Sequence, residues 1–247
     1  MKPVLFRVGI LVAGVLVAGS VREASAQMLQ STDKVFAGLS FGSQTKARTF
    51  TTSGSQPLYG ETASFESQVG IGSERLVDLS GGVRVWKNVA VGLGWSSYSD
   101  TSTGTMTAAI PDPLFFDALH SRSTTVEGLE HKEQQIHLSL YWLQPLTDKL
   151  DLALYGGPTL FSVKQDVLTG ITVPTAGTTI GSVTTTTIDE SATGLHVGLD
   201  IRYLIIKNAG IGAFARYATA KVDTTAIDSG SMEVGGFQYG IGLRVRF

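Results

Sequence analysis

The eleven residues from Phe237 to Phe247 alternate without a break: Phe237, Tyr239, Ile241, Leu243, Val245 and Phe247 are apolar, and Gln238, Gly240, Gly242, Arg244 and Arg246 stand between them. A period of two means a β-strand with unlike faces. One face is greasy and rich in aromatics. The other carries arginines and glycines, which form no dry core unless their charges find partners. A strand with an apolar outside and a polar inside suits a closed barrel set in lipid. The same alternation runs through Val89, Val91, Leu93 and Trp95, through Ile136, Leu138, Leu140 and Trp142, through Leu195 to Ile205, and less fully through Leu79, Val83 and Val85. The opposite parity holds Asp78, Arg84, His137, Ser139, His196, Asp200, Arg202 and Arg216.

Turn spacing sets the strand count. Short polar turns stand at Trp86-Lys87-Asn88, at 144–148 and at Lys207-Asn208, while longer Thr-, Ser-, Gly- and Pro-rich tracts fill about 51–62, 100–124, 169–187 and 224–232. Short turns alternating with long loops, with both chain ends on the short-turn side, predict eight strands. They fall near 34–50, 66–86, 88–99, 125–143, 149–167, 188–206, 209–223 and 233–247. The expected fold is an all-β, eight-stranded antiparallel up-and-down transmembrane β-barrel. A further hairpin within 53–80 would raise the count to ten. In the fifth strand the apolar parity changes from Leu150, Leu152 and Leu154 to Phe161 and Val163, so a face-flipping bulge is expected at Gly156-Gly157-Pro158. A soluble lipocalin-like barrel would alternate in the same way with the faces exchanged. Trp142, Tyr203 and Phe247 near the short turns, with Trp95 and Tyr217 toward the other end, form two aromatic girdles and favour the membrane.

The front end points the same way. Lys2 and Arg7 precede an apolar run from Gly9 to Val21 of about 13 residues, and Ala24-Ser25-Ala26 is a small-x-small cleavage site. The run is too short for a spanning helix. Residues 1–26 read as a cleaved signal peptide and 27–247 as the barrel domain. The signal holds three of the 19 basic and one of the 21 acidic residues, leaving 16 − 20 = −4 for the remainder. That mildly acidic balance gives no case for nucleic acid. No cysteine is present, so neither a disulfide nor a lipoprotein is expected.

These features resemble the small outer-membrane barrels grouped with OmpA, OmpX and OmpW, on the cleavage site, the turn rhythm and the ending Tyr239, Ile241, Leu243, Val245, Phe247, which is similar to the membrane-insertion signal of bacterial outer-membrane proteins. The resemblance implies location in a Gram-negative outer membrane, with outer-membrane lipids and the barrel assembly machinery as partners. Unlike in full-length OmpA, no peptidoglycan-binding domain is expected after Phe247.

Candidate chemistry is sparse. Asp78, Arg84, His137, Asp151, His196, Asp200, Arg202, Arg216 and Arg244 carry both signs on the inward parity and are expected to form a polar lumen network that plugs the bore. The His137-Leu138-Ser139 pair, with Asp151 as a conceivable orienting acid, resembles the His-x-Ser arrangement of lipid A deacylases of the PagL type. It lies in mid-strand and no oxyanion-hole motif accompanies it, so no catalytic residue and no enzymatic activity are expected. His120, His131, His137 and His196 lack the spacing of a metal motif, and no cofactor is expected. Pro113, Leu114, Phe115 and Phe116 form an apolar tract in a loop, to be packed on the barrel rim or used for docking an extracellular ligand. The expected role is structural or surface-interacting and carried by the loops. The alternative is a narrow porin-like channel or a transporter of small hydrophobic solutes, and a lipid A-modifying hydrolase stands further off.

Overall fold

The computed structural model describes residues 33–45, 48–72, 74–224 and 230–247. The signal peptide lies outside them. Ten strands occur: β1 Val35–Thr45, β2 Arg48–Leu58, β3 Glu61–Ile71, β4 Glu74–Trp86, β5 Val89–Pro111, β6 Leu119–Pro145, β7 Leu150–Thr172, β8 Ser182–Ile206, β9 Ala209–Asp223 and β10 Ser231–Arg246. Eight of them close a ring, β1-β4-β5-β6-β7-β8-β9-β10, in which every neighbouring pair is antiparallel. The seam between first and last strands is sealed at its foot by Lys34 N donating to Phe247 O at 2.6 Å and Phe247 N to Val35 O at 2.8 Å.

The stagger of the ring fixes its bore. Stepping across ladders from Val35 leads through Val83, Val91, Leu140, Gly156, Val197, Tyr217 and Phe237 to Thr45, ten residues further along β1. Eight strands with a shear of ten tilt by about 40°, climb about 2.5 Å in height per residue, and leave an interior that side chains fill.

β2 and β3 stand outside the ring. They form a hairpin whose second strand takes over the edge of β5 where β4 stops: Arg75 pairs with Ser99 on β4, and Gly70 with Thr103 on β3. The turn is Tyr59-Gly60, with φ of 55° and 83°, the positive values a two-residue hairpin of this twist requires. Tyr59 is held there by its hydroxyl, within 3.1 Å of Pro174 O and 3.0 Å of Gly177 O. So the tract around 51–62, expected to be loop, is strand, and the extra hairpin adds two strands without enlarging the ring. The tracts expected as loops at 100–124 and 169–187 are also mostly strand, turning only at 112–118 and 173–181.

No bulge flips β7. The pairing of β6 with β7 keeps one register on both sides of Gly157, from His137↔Thr159 to Leu140↔Gly156. Phe161 and Val163 share the inward parity of Tyr155 and Thr159 and are buried. They point inward because the interior is not uniformly polar: opposite Gln135 and Glu133, their register partners on β6, the wall from β7 round to β10 turns apolar, and Phe161, Val163, Val167, Ile188, Met232 and Val234 form one apolar cluster. Phe65, Val69, Met106, Ile110, Leu129 and Leu168 form a second, between the β2–β3 hairpin, β5, β6 and β7.

Candidate functional site: the lumen and its lipid-facing wall

Inside the ring the polar side chains stack in layers. At the foot, Arg246 Nε sits 2.8 Å from Asp33 and its Nη1 3.0 Å from Asp151. Arg84 donates to the carbonyls of Asp33 (3.0 Å) and Lys87 (2.8 Å). Phe36, Leu143, Tyr141 and Tyr155 cross the bore above this mouth, and the Arg202 guanidinium lies 4.5 Å over the Phe36 ring.

The next layer is a buried ion triad. Asp200 takes Arg244 at 2.6 and 3.0 Å and Arg202 at 2.7 Å, and Arg244 also donates to Ser40 Oγ at 2.8 Å. Glycines make room for this arginine: a Cβ at Gly212 would stand 2.8 Å from Arg244 Cγ, and one at Gly38 3.0 Å from its Cδ.

Above it Arg216 joins Asp78 (2.9 Å), Ser96 (2.6 Å) and Gln238 (2.7 Å). A hydrogen-bonded chain crosses the barrel at this level. Ser96 Oγ donates to Asp78 at 2.8 Å and stands 3.1 Å from His137 Nε2. His137 Nδ1 is 2.9 Å from Thr159 Oγ1, which is 2.8 Å from His196 Nδ1, and His196 Nε2 is 2.8 Å from Ser139 Oγ. One proton order satisfies every link, with Ser139 donating to His196, His196 to Thr159, Thr159 to His137, His137 to Ser96, and Ser96 to Asp78. That order places the proton on Nδ1 of His196 and on Nε2 of His137.

The structure therefore separates His137 from Ser139 as a bonded pair, although both face the bore. Ser139 bonds His196, across β7, and Asp151 lies at the mouth with Arg246. Asp78, His137, His196, Asp200, Arg216 and Arg244 are buried together, with Arg202 beside them and Arg84 and Asp151 below. The space left among Asp78, His137, Tyr155, Asp200 and Arg216 is about 10 Å³, room for roughly one water.

A further layer went unnamed in the sequence reading. Gln238 donates to Gln44 (2.6 Å) and Gln135 (2.9 Å), Gln135 donates to Glu133 (2.6 Å), Tyr98 hydroxyl bonds Glu133, and His131 Nδ1 meets Gln165 at 2.5 Å. The signal was available: residues 131, 133 and 135 step back by twos from His137 along β6 and share its face. Among the described residues no group of three His, Asp or Glu side chains is placed to hold a metal ion.

The outside of the ring inverts this chemistry. Leu39, Phe41, Leu93, Leu138, Leu140, Leu199, Ile201 and Leu243 are exposed, Leu195 is 66 % and Ile241 72 % accessible, while inward Asp78 is 3 % and Arg244 5 % accessible. The ten steps from Phe237 to Phe247 span about 25 Å of height at this tilt, the thickness of a lipid-facing band. Trp142, Tyr203 and Phe247 ring its lower edge, and Trp95, Tyr217 and Phe237 its upper edge, about 20 Å above. Such a continuous apolar belt, over a buried and charged centre, is stable only in hydrocarbon. The chain is a transmembrane β-barrel.

Within this barrel Tyr239, Ile241 and Leu243 of the C-terminal strand face lipid, Val245 is half-buried, and Phe247 is exposed. Far above the belt, at the end of the β5–β6 hairpin, Leu114 (83 % accessible), Phe115 and Phe116 project from the turn, with Pro113 half-buried. The tip stands about 30 Å beyond the apolar band. It is not packed on the rim. Asp112 shapes it by accepting from Leu114 N (2.8 Å) and Phe115 N (3.1 Å), and its other oxygen meets His120 at 2.9 Å. The Leu114 amide, then His120, holds the Asp112 carboxyl below its usual range.

No family model and no curated protein matches the sequence. Among solved structures the barrel is similar to Neisserial surface protein A (13 % identity, TM-score 0.45, covering 86 % of this chain and 97 % of that one). It is also similar to the outer membrane protein OprG from Pseudomonas aeruginosa (9 %, 0.46, 88 % and 97 %) and to Ail, the attachment invasion locus protein of Yersinia pestis (11 %, 0.38, 85 % and 99 %).

Proposed function

We propose that this protein is a sealed outer-membrane barrel that carries an extracellular β platform for surface interaction. The observation that carries the reading is the filling of the interior by two chemistries in series, a hydrogen-bonded charged plug at membrane height and apolar clusters above it. Neither half leaves a wetted path, and a shear of ten on eight strands leaves no room for one. The platform is built of regular strand rather than loop, so it presents a fixed shape to a partner. Export follows from a signal peptide cleaved after Ala26, residence from the outer-membrane lipids around the belt, and insertion from the assembly machinery engaging Tyr239, Ile241, Leu243, Val245 and Phe247. The protein has no enzymatic role: Ser139 and His196 are enclosed in the bore, out of reach of a lipid. Lipid A from cells expressing Ser139→Ala is expected to match that from wild type.

The deciding experiment is conductance of the purified barrel in planar bilayers. Silent bilayers are expected across the voltage range. Reproducible ohmic steps would overturn the sealed reading in favour of a channel.

A further inference from the structure

The outer wall changes character abruptly at the top of the lipid-facing belt. Arg75 on β4 pairs in register with Ser99 on β5, Ser99 with Lys132 on β6, and Lys132 with Lys164 on β7. All four side chains point outward and are exposed. At about 2.5 Å of height per residue, Arg75 stands about level with the upper aromatic Phe237, and Lys132 about 7 Å above it. Acids stand further out. Glu130 lies one outward row above Lys132, and Asp189 takes Lys164 at 2.8 Å. Like charges directly opposed across a ladder repel one another. Lys164 has its carboxylate, but neither Arg75 nor Lys132 forms an ion pair among the described residues.

These two cations flank a notch. β5 pairs with β4 up to Ser99 and with β3 from Thr103, so among the described residues Asp100, Thr101 and Ser102 have no ladder partner on that side. The resulting groove, of about 570 Å³, is lined by Arg75, Ser99, Asp100, Thr101, Glu130, His131 and Lys132; Asp100 and His131 are on the inward parity of their strands, so the cations on its outer face are Arg75 and Lys132. It is continuous with the apolar belt below, through Val77 and Trp95.

We propose that Arg75 and Lys132 bind a phosphate of an outer-leaflet glycolipid whose acyl chains lie along the belt beneath them. The inference rests on the membrane placement proposed above. A lipid anchored by its tails brings its phosphate to this height and no other, and cations just above an aromatic girdle meet it without leaving water. A guanidinium offers a fork to two phosphate oxygens, and the ammonium, on a flexible stem, supplies the second charge from the other side of Ser99. The acidic row above keeps the anion from sliding outward.

The test is retention of lipid by the folded barrel in detergent micelles, read by native mass spectrometry, with diphosphorylated lipid A and the same lipid stripped of its phosphates as probes. Wild type is expected to retain the phosphorylated form at least tenfold better. The double variant Arg75→Gln, Lys132→Gln is expected to lose about tenfold or more of that retention, as two charge-assisted contacts are removed. Lys221→Gln, at similar height on the opposite wall, should change nothing. Equal retention of both lipids by wild type, or an unaffected double variant, would refute the site. Displacement of the lipid by inorganic phosphate would transfer the site to the free anion and overturn the lipid assignment. The heat-dependent gel shift of a folded barrel is read in parallel, and a chain that never folds in detergent would strike the membrane placement instead.

Discussion

Replacing Arg216 by methionine tests whether the plug is a structural element or a passenger. The side chain is 3 % accessible and satisfies Asp78, Ser96 and Gln238 at 2.9, 2.6 and 2.7 Å. Its removal leaves the Asp78 carboxylate buried with the Ser96 hydroxyl as a donor and no counter-charge. Breaking one partner of a buried pair costs about 3–5 kcal/mol, and the surviving Ser96 bond places this case near about 3 kcal/mol. Asp78→Asn removes the orphaned charge, so the double variant should be no less stable than Arg216→Met alone and nearer to wild type. The assay is equilibrium unfolding by denaturant in phospholipid vesicles, followed by tryptophan emission and by the gel shift of the folded barrel. A loss under about 1 kcal/mol for Arg216→Met, or strictly additive single effects, would mean that the charges are hydrated in place and that the interior is not the packed plug described above.

Depth should govern the outer face: Ile241→Arg, near the belt's midplane, is expected to cost about 2–4 kcal/mol in vesicle unfolding, and Tyr217→Arg at the upper girdle no more than about 1 kcal/mol. Equal costs would refute the assigned membrane position. Gly212→Val, which drives a side chain into Arg244, should destabilise the barrel more than Gly60→Ala, whose added Cβ meets nothing within 4 Å despite its positive φ. The tip has its own pH dependence. The Asp112 carboxyl is lowered on folding, so its stabilisation of the turn is complete above the ordinary carboxylate pKa and disappears as pH falls through the lowered value. Amide exchange at Leu114 and Phe115 should quicken only below that range, and Asp112→Ala should exchange fast at every pH; an exchange profile identical in the two proteins would remove the Asx turn from the account.

Much of this architecture was open to reading because lipid imposes a strict period of two. Leu199, Ile201, Arg202 and Arg244 fall on the faces their parity demands, and the three short turns stand where polar residues interrupt alternation. The failures share a cause. Parity says which side chains lie together but not what medium they lie in. Phe161 and Val163 were read as lipid-facing, with a bulge at Gly156-Gly157-Pro158 to bring them round, because an interior of constant polarity was assumed. The wall from β7 round to β10 is already apolar at the level of Gln135 and Glu133, and no flip is needed. The β2–β3 hairpin stands in the sequence only as an alternative within 53–80, because its strands are rich in Ser, Thr and Gln, and its turn begins with Tyr59, a residue that rarely accepts positive φ unless held. What holds it is a contact 115 residues away, which no local pattern announces. The lumen partners were hidden for the same reason: Ser139 meets His196 rather than His137 because a narrow bore pairs side chains across strands more readily than along them.

The apolar clusters above the charged layers bear on how such a molecule can be reshaped. Small barrels invite engineering by shaving their surface loops down to the bilayer. Here β5, β6, β7 and β8 rise without a joint from the hydrocarbon into the medium, and Phe161, Val163 and Leu168 depend for shelter on what lies overhead. A version cropped at the upper girdle would be an oily cup open to water, prone to stick to its neighbours, and its two floors would have to be redesigned as one.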